Sequence, residues 1–182
     1  MWFKLQETTQ QFLDTAPWIF RSKVILPNVS AETCWSILMD DNAWQFWHPQ
    51  VQNIQWKSDL RAKGSERTVV FSDSLSNMLL FGPTALDETF PVWEEGKSFQ
   101  LSVKATTKPA ALTYRSIREA FVVNSSPDGG SIFTRTVAID PSFVSRYLLG
   151  WLVYPRLKKL FTVDCPRDFE LYSKTVNQKR KD

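Results

Sequence analysis

The chain has 182 residues, 43% of them apolar, with a net charge of +3, which suits one domain with a full core. No apolar run nears the ~20 residues of a membrane-crossing helix, the longest candidate being Tyr147 to Tyr154. Two cysteines without CxxC spacing, and a start (MWFKLQETTQ) without the apolar core of a signal peptide, argue against secretion and lead to the expectation of a cytoplasmic protein.

Residues 1–17 read as an irregular lead-in. Trp18 to Leu26 alternates and is rich in β-formers, so a first strand is expected there, stopped by Pro27-Asn28. Ser30 or Asn28 can cap the following helix, and Glu32 suits its positive end. Ala31, Cys34, Trp35 and Leu38 then fall at i, i+3, i+4 and i+7, one apolar stripe that must pack on something. Asp40-Asp41 ends that helix, Ala43 to Trp47 gives a second short one, and His48-Pro49 closes it.

Six strand signals follow: Val51 to Lys57, Glu66 to Asp73, Ala85 to Trp93, Lys97 to Thr106, Leu112 to Asn124 and Ser131 to Asp140. The breaks between them carry turn chemistry, at Lys63-Gly64, Gly82-Pro83, Glu95-Gly96-Lys97, Lys108-Pro109 and Pro127-Asp128-Gly129-Gly130, so successive strands should pair antiparallel. The chain ends in a long helix opening at Pro141-Ser142. Leu149, Leu152, Val153, Leu157 and Leu160 keep a helical spacing. Pro155 predicts a kink near Gly150–Pro155, and Asp164-Cys165-Pro166 a second break before Phe169 to Val176. From Arg146 onward nine Lys/Arg stand against four Asp/Glu, a balance of +5, and residues 179–182 form a basic tail. Such an end can touch anionic lipid or be a solvated helix face. No nucleic-acid motif accompanies it, so no nucleic-acid partner is expected.

The order is β, α, α, six β, long α: an α+β domain spanning 18–178. A seven-stranded antiparallel sheet wrapped around one long helix leaves space between the two, and that space can hold a ligand.

The segment Ser30 to Pro49 (SAETCWSILMDDNAWQFWHP), the Trp47-His48-Pro49-Gln50-Val51 turn, Gly64 before a strand, Trp93-Glu94-Glu95-Gly96-Lys97-Ser98-Phe99 and Asp128 to Arg135 occur in an order that resembles the START-like helix-grip (SRPBCC) superfamily, within it the polyketide cyclase/dehydrase-like group. The resemblance runs from about Trp18 to Val176. It implies the birch-pollen-allergen-like fold and a hydrophobic or amphipathic small molecule bound in the helix-sheet cavity. That superfamily mixes enzymes, carriers and binders. No catalytic motif of its enzymatic members is present to carry over.

Two polar candidates come from the residues themselves. The Ser125–Gly130 loop sets a register pairing Val123 with Ser131, Phe121 with Phe133, Glu119 with Arg135 and Ile117 with Val137. Glu119 and Arg135 then share the face of Ile117, Phe121 and Phe133, where they either orient a ligand's carbonyl or hydroxyl or form an exposed ion pair. His48, the only histidine, is placed at the cavity mouth, as a base or as a capping or surface residue. With 13 Phe, 8 Trp and 4 Tyr, rings are abundant enough to fill a core and to line a pocket. Trp35, Trp44, Trp47, Trp56 and Trp93 are the candidate wall or lip. Phe99, Leu101 and Leu152 complete the candidate lining, with plain core as the alternative for each.

One histidine and two distant cysteines make no metal site, and no cofactor motif occurs. The reading is therefore a binder of a hydrophobic or amphipathic small molecule or lipid. One alternative is a cyclase/aromatase using Glu119, Arg135 and His48. Another is a peripheral lipid carrier touching membranes through Tyr147 to Phe161 with Arg156, Lys158 and Lys159, although membrane contact is not the expected mode.

Overall fold

The computed structural model describes residues 1–72, 84–107 and 110–179. Its frame is an antiparallel sheet of β1 (Phe3–Lys4), β2 (Trp18–Leu26), β3 (Val51–Trp56), β4 (Glu66–Phe71), β5 (Thr84–Glu94), β6 (Ser98–Thr106), β7 (Tyr114–Ser125) and β8 (Ser131–Pro141). Seven strands run in the order β2-β8-β7-β6-β5-β4-β3, and β1 adds to β6 outside that path. Each of the six expected strands is present. Leu112 falls instead in a helical turn, Ala110–Thr113, before β7. Asp73 and the predicted Gly82-Pro83 and Lys108-Pro109 turns lie outside the described residues, as do positions 180–182 of the tail.

Residues 1–17 are more ordered than a lead-in. They hold β1, which pairs with β6, and the short helix α1 (Phe12–Thr15), which packs on the face of the sheet opposite the ring-rich core. Leu5 and Gln6 donate backbone bonds to the carbonyls of Lys104 and Arg115. The buried Arg118 guanidinium donates to the Thr8 carbonyl at 2.8 Å and to Gln100 Oε1. Leu13 and Ala16 pack with Ala138 there.

Between β2 and β3 stand α2 (Ala31–Met39) and α3 (Asp41–Trp47). Ser30 Oγ caps α2 by accepting from Thr33 N, and Asp40 caps α3 by accepting from Asn42 N. The expected stripe faces inward: Cys34, Trp35 and Leu38 are buried, while Ala31 is half-buried at the edge of the same cluster.

After β8 the chain is helical almost to its end, through α5 (Gly150–Lys159) and α6 (Cys165–Lys179), the Ala110–Thr113 turn being α4. Of the two predicted interruptions, the one before Pro166 is a change of helical pitch, while the other lies ahead of the expected Gly150–Pro155 segment, where the helix breaks at Leu149 (φ -114). One π-helical stretch, Val144–Leu148, precedes Gly150, and another, Leu160–Asp164, takes the place of the break expected before Pro166. A wider turn removes the hydrogen bond that Pro166, lacking an N–H, cannot make, so the helix continues. Pro155 sits inside α5, which has no fully buried side chain. Phe169 of α6 is the deepest contact of this helix, 4.4 Å between ring centres from Phe133 on β8 and 5.3 Å from Trp47 on α3.

Candidate functional site

The β7–β8 hairpin sets the site. Ser125 faces Ser131, Ser126 N donates to the Gly130 carbonyl, and Gly129 sits at φ +80 as the left-handed residue closing a three-residue loop. This corrects the expected register. Val123 pairs with Phe133, Phe121 with Arg135, Glu119 with Val137 and Ile117 with Ile139. The loop centres on Asp128 and not on Pro127, which moves the pairing by two residues. A shift of two preserves the faces, so Glu119 and Arg135 are diagonal neighbours on the inner face.

Arg135 reaches across the diagonal and forks onto one carboxylate oxygen, Nε and Nη2 lying 2.9 and 2.7 Å from Glu119 Oε2. The side chains are 3% and 12% exposed. The guanidinium lies 5.0 Å from the Phe161 ring centre and 5.2 Å from that of Phe121, so it stands between sheet and C-terminal helix. Burial pushes the Cys165 thiol beside it up to about 11 and that of Cys34 to about 12, which keeps both protonated near neutral pH.

A second buried pair was not expected. Arg67 on β4 and Glu88 on β5 face each other in register, with Nε 2.7 Å from Oε2. Arg67 also lies 4.6 Å over the Trp44 ring and 5.1 Å over Phe90. Burial raises the Glu88 carboxyl against the pull of Arg67. The signal existed in the sequence: Arg67 is in phase with Val69, and Glu88 with Phe90. The connection after Phe71 offered no register to bring the two together.

His48 is not at a mouth. It is the buried C-cap of α3, its N–H donating to the Trp44 carbonyl at 2.7 Å and its ring lying among Trp47, Phe71 and Phe161. Burial, and then the positive charge of Arg135, hold its pKa well below the usual histidine value, so it is neutral. Neither nearby aspartate orients it. Asp40 caps α3, while Asp41 accepts from Trp56 Nε1 and pairs with Arg61.

Among the described residues, Arg135 Nη1, His48 Nδ1 and Trp47 Nε1 are buried without a hydrogen-bond partner. They belong to one patch: the Arg135 guanidinium carbon is 5.7 Å from the Trp47 ring centre, and the rings of Trp47 and His48 are 6.0 Å apart. Buried polar groups are nearly always satisfied. A two-donor patch with a neutral imidazole beside it is therefore suited to an acceptor oxygen.

The other candidates separate. Phe99, Leu101, Ile117, Phe121 and Phe133 are fully inside and belong to the continuous ring-rich core, with Phe99 and Phe121 stacked at 4.5 Å. Trp35 is buried, and its Nε1 donates to Glu95, which also accepts from Trp93. Trp56 is half-buried and stacked on Phe90. Leu152 is half-buried on α5 outside the core cluster, where Val153 and Leu157 are the residues that pack inward. None of the candidates lines the groove of about 370 Å³ between residues 26–29 and Lys174, Asn177 and Gln178.

No protein-family model and no curated protein sequence matches the chain. Solved structures do. Ara h 8.0201 is similar with a TM-score of 0.61 and 11% identity, over 87% of this chain and 98% of that one. TTHA0849 from Thermus thermophilus gives 0.62 and 11%, over 87% and 99%. CV1439 from Chromobacterium violaceum gives 0.61 and 11%, over 85% and 96%. Likeness at this identity speaks for the fold alone, and with the strand order and long closing helix described above, the chain has a helix-grip fold.

Proposed function

We propose that the protein binds a hydrophobic or amphipathic small molecule between the sheet and the C-terminal helix, with the ligand's polar end at Arg135. One observation carries this reading: Arg135 Nη1, Trp47 Nε1 and His48 Nδ1 are orphaned together in an interior otherwise made of rings. The charges there already balance, Arg135 against Glu119 and Arg67 against Glu88. A carboxylate would bring an uncompensated charge into that interior, so the fitting head group is a neutral carbonyl or hydroxyl. Access lies beneath α5, whose side chains are at most half-buried and which gives way at least cost.

Cyclisation or dehydration would need an oriented base. His48 is neutral, yet among the described residues no carboxylate bonds its ring to orient it as a base. Binding is the reading the geometry favours.

Native mass spectrometry of the purified protein should reveal a retained neutral molecule. In a thermal-shift titration, 1-naphthol should raise the unfolding midpoint of the protein more than naphthalene does, and Trp47→Phe should narrow the gap. No retained mass and no shift with either probe would defeat this reading.

A further inference from the structure

The outer side of the chain between Ser142 and Leu160 does something the core does not require. Its inner side packs normally: Val153 and Leu157 meet the core, and the Tyr154 ring touches Trp18 and Phe20. Its outer side presents Trp151, Phe143, Tyr147 and Leu148 at 78%, 69%, 63% and 60% exposure. Phe143 and Tyr147 contact one another at 5.0 Å, with the Arg146 guanidinium 5.5 Å from the Tyr147 ring centre. Side chains this exposed project from the surface and do not line a slot for a peptide. Apolar clusters of this kind mark interaction sites.

The charge around them has one sign. No Asp or Glu occurs between Asp140 and Asp164, while Arg146, Arg156, Lys158 and Lys159 do. Lys159 is tied to Asp164 at 2.7 Å. The other three have no acidic partner among the described residues. Projecting Trp, Tyr, Phe and Leu flanked by cations match the boundary between the acyl chains and anionic head groups of a bilayer.

We propose that this face, residues 143–159, docks the protein on an anionic lipid membrane surface. It lies on the outer side of the helical segment and stands independently of whatever the interior holds. The rings enter the head-group layer, and Arg146, Arg156 and Lys158 face the lipid phosphates.

The test is flotation of the full chain with vesicles of phosphatidylcholine alone and of phosphatidylcholine mixed with phosphatidylserine, at low and high salt. We expect binding to the mixed vesicles, weakened by salt. Removing one cation, by Arg156→Ala or Lys158→Ala, should lower the partition about five-fold. Tyr147→Glu with Trp151→Glu should abolish binding while leaving the unfolding midpoint in place, since both side chains are already in water. Equal and negligible binding to both vesicle types would overturn the proposal, as would full binding by the double variant. Salt-insensitive binding to both would overturn it too. A concentration-dependent dimer in light scattering that the double variant abolishes would assign the face to a second copy of the chain instead.

Discussion

Replacing Arg135 by alanine strands the Glu119 carboxylate among rings. A buried pair broken from one side loses about 3–5 kcal/mol. Glu119 keeps slight solvent contact, which places the expected loss at the lower end, about 3 kcal/mol in chemical denaturation. Arg135→Met with Glu119→Leu should recover most of it, because the double change removes both charges. A loss under about 1 kcal/mol for the single variant would mean a solvated pair. His48 acts in the opposite direction, through pH. Its pKa in the folded protein lies below the unfolded value, so the unfolded chain binds the extra proton first. Stability is therefore complete above the unfolded pKa near 6.5 and declines as pH falls, by up to about 1.4 kcal/mol per unit until the folded pKa is reached. His48→Gln should flatten the denaturation free energy between pH 7 and pH 5 relative to the wild type. An unchanged slope would show that other groups control it.

At the scale of elements, phase was legible and register was not. Glu119 alternates with Ile117 and Phe121, and Arg135 with Phe133 and Val137, so the shared face followed from period two alone. The pairing depended on where the loop turns, and Pro127-Asp128-Gly129 allows more than one centre. The tight corner also explains Gly130. Its backbone passes under the end of β2, where an added Cβ would meet the Leu26 carbonyl oxygen at 2.3 Å and the Pro27 carbonyl oxygen at 2.6 Å. Gly130→Ala should therefore lower stability by about 1–3 kcal/mol, the range for overpacking, whereas Gly96→Ala in a neighbouring turn meets no atom within 4 Å and is strained only by its positive φ. Comparing the two denaturation midpoints separates steric from conformational effects. The C-terminal helix shows a second limit of legibility. Pro166 marked where the helix adjusts and Pro155 did not, since the other irregularity falls at Val144–Leu149, and composition does not distinguish a break from a π turn. It also did not show that Val153, and not Leu152, would face the core.

For the whole molecule, the sheet-and-helix order was readable because each element carries its own period. The coverage of the outer face, opposite the ring-rich core, was not, because residues 1–17 have no periodic signal of their own. They are fixed only by what they meet. The strip supplies the Thr8 carbonyl to Arg118 and backbone donors to Lys104 and Arg115, and it covers Ala138 with Leu13 and Ala16. A core domain beginning at Trp18 would thus face water with a guanidinium that the full chain keeps buried and an apolar patch that the full chain covers. Deleting residues 1–16 should lower the free energy of unfolding by roughly 3 kcal/mol, from the lost Leu13 burial and the lost hydrogen bonds. The denaturant slope should fall slightly, because less surface remains to be exposed on unfolding. The β2–β8 pairing and the C-terminal helix lie on other contacts, so the circular dichroism of the truncated chain should keep its native form. An unchanged midpoint would make the strip a separable lead-in; a chain that no longer folds would make it part of the folding unit itself.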